Sequence, residues 1–183
     1  MSNIIKTERL TLIPLTMEHK YGLYKLWSNY EVIKYTYAPL MKDISESEQR
    51  IKMILEKYSE KDHTSNFTIL YNDEIIGTAG CPTVNFDKSE YGLFYQLNQD
   101  YWGKGFGYEV AKALVNYMFT ESNAKILLAD AVTVNPGSIK ILEKIGMEKI
   151  KVEANGFKNN EQELNIYHYK LERKNYEFSS ALV

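Results

Sequence analysis

One cysteine, Cys81, in 183 residues excludes an intramolecular disulfide framework. No apolar run approaches the ~20 residues of a membrane span. The opening Asn3-Ile4-Ile5-Lys6 has no signal-peptide core, so a cytoplasmic protein with no membrane partner is expected. An excess of one charge is missing too: 22 Lys and Arg stand against 24 Asp and Glu, for a net charge of −2. That balance gives no sequence-wide attraction to nucleic acid. No His, Cys and acid cluster has metal-ligand spacing, so no metal is expected, and no Ser/His/Asp constellation can be argued. Internal repeats, linkers and low-complexity segments are also absent. What remains is 44% hydrophobic and 25% charged, the balance of one globular domain spanning 1–183 with a sizeable core.

The most informative stretch is Tyr101-Trp102-Gly103-Lys104-Gly105-Phe106-Gly107-Tyr108. The apolar run 91–97 before it reads as a strand. After it, Phe106, Val110, Leu114 and Met118 repeat at helical spacing, with Ala111 and Tyr117 widening the stripe. The stretch is therefore a strand-to-helix turn with glycine at alternate positions. Glycine lets backbone approach a ligand and adopt positive φ, and a helix start offers unpaired N–H groups with about half a positive charge. Together they predict a phosphate cradle. A P-loop would need Ser or Thr after Gly103-Lys104, where Gly105 stands. A dinucleotide fingerprint would need a glycine at Tyr108.

Elsewhere, residues 8–15 alternate as a first strand, and Thr16 is placed to cap a helix burying Leu23, Leu26 and Trp27. His19, in the first turn of that helix, reads as a surface residue. Residues 32–37 form a short helical piece interrupted by Pro39. Tyr30, Tyr35 and Tyr37 there serve either core packing or a substrate wall. Ser45 with Glu48 reads as a capping box opening a helix through Ile51, Ile54 and Leu55 to about Tyr58. Residues 67–71 and 75–84 read as strands joined by an Asn72-Asp73-Glu74 hairpin turn. Cys81 lies on the second of them as buried filler rather than nucleophile. A strand from Ile126 to Thr133 leads to Asn135-Pro136-Gly137-Ser138, where Ser138 is expected to cap a short helix that Gly146 ends. Residues 148–153 and 164–171 read as strands around an Asn155-Gly156 turn, and 174–183 as a frayed or docking terminus.

Trp102-Gly103-Lys104-Gly105-Phe106-Gly107 resembles the acetyl-CoA pyrophosphate loop of the GNAT acetyltransferases, in wording close to the branch of ribosomal-protein N-terminal acetyltransferases. Asn135 through Met147 resembles that family's second motif, and the likeness covers about residues 6–172. It implies an α+β, three-layer fold: a twisted, mixed, mostly antiparallel central sheet with helices on both faces. It also implies that the first two helices flank an acceptor groove. The cofactor contacts it implies are the backbone from Gly103 to Tyr108 with Trp102, the strand edge Tyr95-Gln96-Leu97 for the pantetheine arm, and Asn135 with Ser138. Many members place a tyrosine acid seven residues after the asparagine, where this chain has Leu142. Ser138 is the hydroxyl the ribosomal branch offers instead. Tyr95 is a weaker catalytic candidate, and Tyr95, Glu90 and His168 are the candidates for a base.

The activity implied is acetyl transfer from acetyl-CoA to a primary amine, with a protein or peptide N-terminus ahead of an aminoglycoside or other small amine. A CoA-binding module without turnover is the third alternative, and a homodimer is left open. A lysine near pKa 10.4 costs about 3 kcal/mol more to deprotonate at neutral pH than an α-amine near 8, so a missing strong base favours the α-amine.

Overall fold

The computed structural model describes residues 4–57, 66–159 and 162–180. The helix end expected at Tyr58 and residues 181–183 of the tail lie outside the described residues. Among the described residues ten strands form two five-stranded sheets. The first holds β1 (Ile5–Lys6), β2 (Thr11–Pro14), β3 (Phe67–Tyr71), β4 (Glu74–Gly80) and β7 (Phe94–Leu97), in the order β1-β2-β3-β4-β7 and all antiparallel. The second holds β5 (Thr83–Asn85), β6 (Glu90–Gly92), β8 (Ile126–Val132), β9 (Glu148–Lys158) and β10 (Glu163–Glu172), in the order β5-β6-β8-β10-β9. There the β6–β8 pair is parallel.

Helices lie on both faces. Alternation along β4 turns Ile75 towards the cluster of α1 (Lys20–Trp27) and α3 (Ile44–Lys57), and Ile76 towards that of α4 (Phe106–Thr120). Gly22 brings α1 close to the sheet, since a Cβ there would stand 2.7 Å from the Ile75 Cβ. The stripe Phe106, Val110, Leu114 and Met118 is buried, as its spacing predicts. Burying each such side chain stabilises the fold by roughly 1.5–3 kcal/mol. The β3–β4 turn holds Asn72 at φ 49° and Asp73 at φ 62°, the pair of positive angles that a tight type I′ hairpin demands.

Two expected strands are broken, and the breaks shape the molecule. The run 75–84 divides after Gly80, and the run 91–97 divides at Leu93, each half joining a different sheet. Pro82 has no N–H for a ladder bond, and Gly92 N–H instead donates to Pro82 C=O at 2.8 Å. The last link between β7's segment and β8 is Leu93 N–H to Leu128 C=O, 2.7 Å. Beyond it the two strands part.

Other local expectations are corrected. Asp43, and not Ser45, opens α3: its carboxylate accepts the Glu46 N–H at 3.0 Å, while Glu48 pairs with Lys20 at 2.9 Å and ties α1 to α3. His19 is half-buried: its Nδ1 accepts the Thr16 N–H and lies 2.8 Å from the Thr68 hydroxyl. Desolvation lowers its pKa, against a smaller raising effect of Glu18. The segment after α1 is helical only over Tyr30–Ile33 (α2). Asn155, at φ 52°, forms a bulge within β9, and β9 runs on to Lys158 before the chain returns. The tail forms α6 (Arg173–Ser180), with the Tyr176 ring 5.4 Å from that of Phe119.

Candidate active site

Gly103 at φ 73° and Gly105 at φ 81° both use the left-handed region, and Gly105 is the N-cap of α4. The first helical bond there is Glu109 N–H to Gly105 C=O. Among the described residues no hydrogen bond occupies the backbone N–H groups from Gly103 to Tyr108. They converge at the positive end of a 15-residue helix. Gly107 has another use than the one its spacing implied. Its φ is not positive, and a Cβ there would lie 2.8 Å from Ile141 Cδ1, so it lets α4 pack against α5 (Pro136–Lys144). Lys140 and Lys144 of α5 line the same rim, and Lys144 Nζ lies 4.0 Å over the Tyr108 ring. Lys104 is exposed, with its Nζ 5.1 Å from the Tyr101 ring centre.

Arg9 fixes the loop from outside, a role its sequence position gives no sign of. Its guanidinium donates to Lys104 C=O at 3.0 Å, sits 4.3 Å over the Phe106 ring, and pairs with Glu109 at 2.6 Å. Glu109 also accepts from the Thr7 hydroxyl and the Arg9 N–H. Desolvation raises the Glu109 pKa, but these donors outweigh it and hold the carboxyl below its usual range. The network thus stabilises the fold above the ordinary carboxylate pKa and loses that contribution as pH falls through the lowered one. Glu109→Gln should reduce stability at neutral pH and flatten the acid side of a plot of Tm against pH.

The parting of β7 from β8 leaves one edge of β7 open. Asn98 N–H donates to Ile76 C=O, so even-numbered backbone groups face β4 and those of Tyr95 and Leu97 face the opening. Leu97 C=O accepts the Trp102 indole N–H at 2.8 Å, which ties the loop to the strand end. Tyr95 therefore keeps both its N–H and its C=O for an added amide chain. The Gln96 side chain points to the other face, where its carbonyl accepts the Trp27 indole N–H at 3.2 Å.

Asn135, and not Ser138, caps α5: the Asn135 Oδ1 accepts the Ser138 N–H at 3.2 Å. Gly146 at φ 89° ends the helix, with Met147 N–H on Leu142 C=O and Gly146 N–H on Glu143 C=O. Leu142 is buried in the core, 1% exposed, and being leucine it offers no hydroxyl. The Tyr95 hydroxyl is buried and makes no hydrogen bond. Desolvation pushes its pKa up to about 12, and the Ser138 hydroxyl beside it pulls weakly the other way without reaching hydrogen-bond geometry. The Tyr95 proton is thus held, and among the described residues no acceptor receives it.

The base candidates fare differently. Both His168 nitrogens are engaged, Nδ1 by Asp130 at 2.7 Å and Nε2 by Glu153 at 3.2 Å. Glu90 is half-buried on β6 and does not line the cleft. Cys81 lies just past β4, fully buried and outside the cleft lining. Cys81→Ala should keep most of the turnover; an acetylated Cys81 that chases into product, seen by mass spectrometry, would refute this. Among the described residues no three His, Cys, Asp or Glu side chains could hold a metal.

The cleft between the sheets has a volume of about 1990 Å³. That exceeds the roughly 300–1,000 Å³ of a single small-ligand pocket, leaving room for two reactants. An anion cradle, an open strand edge leading from it and a buried hydroxyl at the edge suit a ligand with a phosphate group and a long, amide-bearing arm.

The chain belongs to the GNAT acetyltransferases: the acetyltransferase (GNAT) domain matches residues 9–148. It is 30% identical over 172 residues to the uncharacterized N-acetyltransferase p20 of Bacillus licheniformis, covering 93% of this chain and 96% of that one. Its fold resembles that of RimL, a ribosomal alpha-N-protein acetyltransferase solved with coenzyme A (TM-score 0.82, 12% identity, 93% of this chain and 98% of that one). It also resembles the spermidine N-acetyltransferase of Vibrio cholerae with CoA and spermine (TM-score 0.80, 16% identity, 92% of this chain and 98% of that one). The chain is an acetyl-CoA-dependent N-acetyltransferase. Among the described residues no helix is long and apolar enough to cross a membrane.

Proposed function

We propose that this enzyme, a single domain with its core over about residues 6–172, acetylates an N-terminal α-amine of a protein or peptide in the cytoplasm. Transfer is direct, within one ternary complex. The cradle at Gly103–Tyr108 would hold the pyrophosphate, the Tyr95 edge the pantetheine amides, and Trp102 the junction between them. Asn135 orients the start of α5 so that Ser138 and Tyr95 flank the thioester end. Acetyl-CoA supplies the activated acyl group, and the chain supplies position and hydrogen-bond donors.

The observation that carries the choice of amine is the double engagement of His168. With both ring nitrogens already occupied by carboxylates, neither is free to contact an acceptor amine, which then has to arrive largely deprotonated. An α-amine near pKa 8 does so far more readily than a lysine near 10.4. A Tyr95 proton held to about pH 12 is a poor proton source for a thiolate of pKa near 8.5. Tyr95 therefore acts as a hydrogen-bond donor to developing charge, and Ser138, whose aliphatic hydroxyl is a weaker acid still, serves in the same way. The pH profile checks both points: kcat/KM should rise through the pKa of the amine, with no falling limb up to about pH 10. A falling limb near neutrality would reveal an essential acid that this scheme lacks.

A further inference from the structure

On the acceptor side of β7, away from the cradle, the cleft is walled by α2, α3 and the segment joining them. Arg50 of α3 lies in this wall with its guanidinium 4.2 Å over the ring of Trp27, whose indole N–H is held by Gln96 of β7. Arg50 Nη1 is buried and has no hydrogen-bond partner. Among the described residues no carboxylate pairs with it. Its neighbours are committed elsewhere: Glu46, one turn earlier, accepts the Lys42 N–H at 2.7 Å. Glu31 pairs with Lys34 at 2.6 Å, Glu48 with Lys20 at 2.9 Å, and Asp130 with His168 at 2.7 Å. Burial lowers the Arg50 pKa to about 10, which still leaves it charged at neutral pH.

Arg50 is half-buried, but its Nη1 is wholly buried, and a guanidinium nitrogen buried without a partner is costly unless something else supplies an acceptor. A planar guanidinium is shaped for a carboxylate or a phosphate, which it binds through two parallel N–H bonds. Stacking on Trp27 fixes the plane of that fork, and Trp27 in turn is fixed to the strand that carries Tyr95. We propose that Arg50 is the anion anchor of the acceptor site: the amine acetylated here carries a carboxylate or phosphate group near its nitrogen. This rests on the amine-acetylation reading and narrows it. The same charge disfavours polycations such as polyamines and aminoglycosides.

The test pairs kinetics with binding. Short peptides with a free N-terminus would carry aspartate, phosphoserine, asparagine or serine at the second position, assayed by thiol release from acetyl-CoA. The intact enzyme should favour one or both acidic peptides about 10- to 100-fold in kcat/KM, mainly through KM. Aspartate against phosphoserine tells carboxylate from phosphate. In Arg50→Gln the KM for the acidic peptides should rise to that of their neutral partners, and Arg50→Lys should restore part of the difference. Separately, succinate or inorganic phosphate should raise Tm of the intact enzyme above that in chloride of equal ionic strength, and leave Arg50→Gln unmoved. A Tm shift without turnover of any amine would refute the acceptor reading and leave the anion seat standing. Turnover without acidic preference, together with no Arg50-dependent shift, would overturn the anchor.

Discussion

Replacing Gly105 by glutamate should abolish useful affinity for acetyl-CoA while leaving the chain folded. Gly105 occupies φ 81°, where an L-residue costs roughly 1–2 kcal/mol, and it caps the helix whose unpaired N–H groups form the cradle. The space itself is not closed, since the nearest atom to an added Cβ is the end of the Arg9 side chain at 3.4 Å. The added carboxylate is what matters. A like charge about 5 Å from a phosphate repels it by about 3 kcal/mol at an effective dielectric near 20, equivalent to about 100-fold in affinity. Gly105→Ala carries the backbone strain without the charge and should bind distinctly better than Gly105→Glu. Calorimetric titration of both folded variants checks this. Equal, undiminished affinities would remove the cradle from the account.

Tyr95→Phe should give an enzyme that is more stable and slower. Its buried hydroxyl has no hydrogen-bond partner among the described residues, and leaving such a group unsatisfied costs about 1–3 kcal/mol, which phenylalanine of nearly the same shape avoids. A gain of 1 kcal/mol raises Tm by about 2–4 °C in a domain of this size. If the hydroxyl is reserved for charge developing on the reacting groups, kcat should fall about 10- to 100-fold with acetyl-CoA affinity unchanged, since a thiolate is a good leaving group and needs little help. Ser138→Ala should also lower kcat more than it weakens acetyl-CoA binding. It should cost little stability, because Asn135 caps the helix and the Ser138 backbone N–H that it receives survives the change. The loss of about 1 kcal/mol belongs to Asn135→Ala. A Tyr95→Phe enzyme of raised Tm and full rate would mark Tyr95 as structural only.

How far the sequence could be read depended on whether the deciding interaction was local. The central loop was legible because a left-handed cap, an orphan helix start and an apolar stripe all lie within a few residues of Gly105. The hairpin at Asn72 and Asp73 was legible for the same reason. Ser138 and Asn135 are both good caps three residues apart, and only the backbone at Asn135 (φ −108°, ψ 80°) decides between them. The breaks after Gly80 and at Leu93 left no trace in hydropathy, because Cys81 and Leu93 are buried like the strands they separate. Yet those breaks open the cleft. Asn155-Gly156 has turn composition, but across the ladder Asn165 Oδ1 accepts the Asn155 N–H at 2.9 Å and makes it a bulge. Arg9 and Arg50 act across long chain separations, Arg9 on Glu109 and Arg50 over Trp27, so neither role is visible in neighbouring residues.

The central claim concerns the amine. It is tested most directly by thiol release from acetyl-CoA at pH 7 with four acceptors at equal concentration: a peptide with a free N-terminus, the same peptide N-terminally blocked but bearing a lysine, spermidine, and an aminoglycoside. The account predicts the highest kcat/KM for the free N-terminus. The blocked lysine peptide should be slower by about the 100-fold or more that its higher pKa imposes, and the two polycations should be poor. Faster turnover of spermidine, the aminoglycoside or the lysine peptide would contradict it.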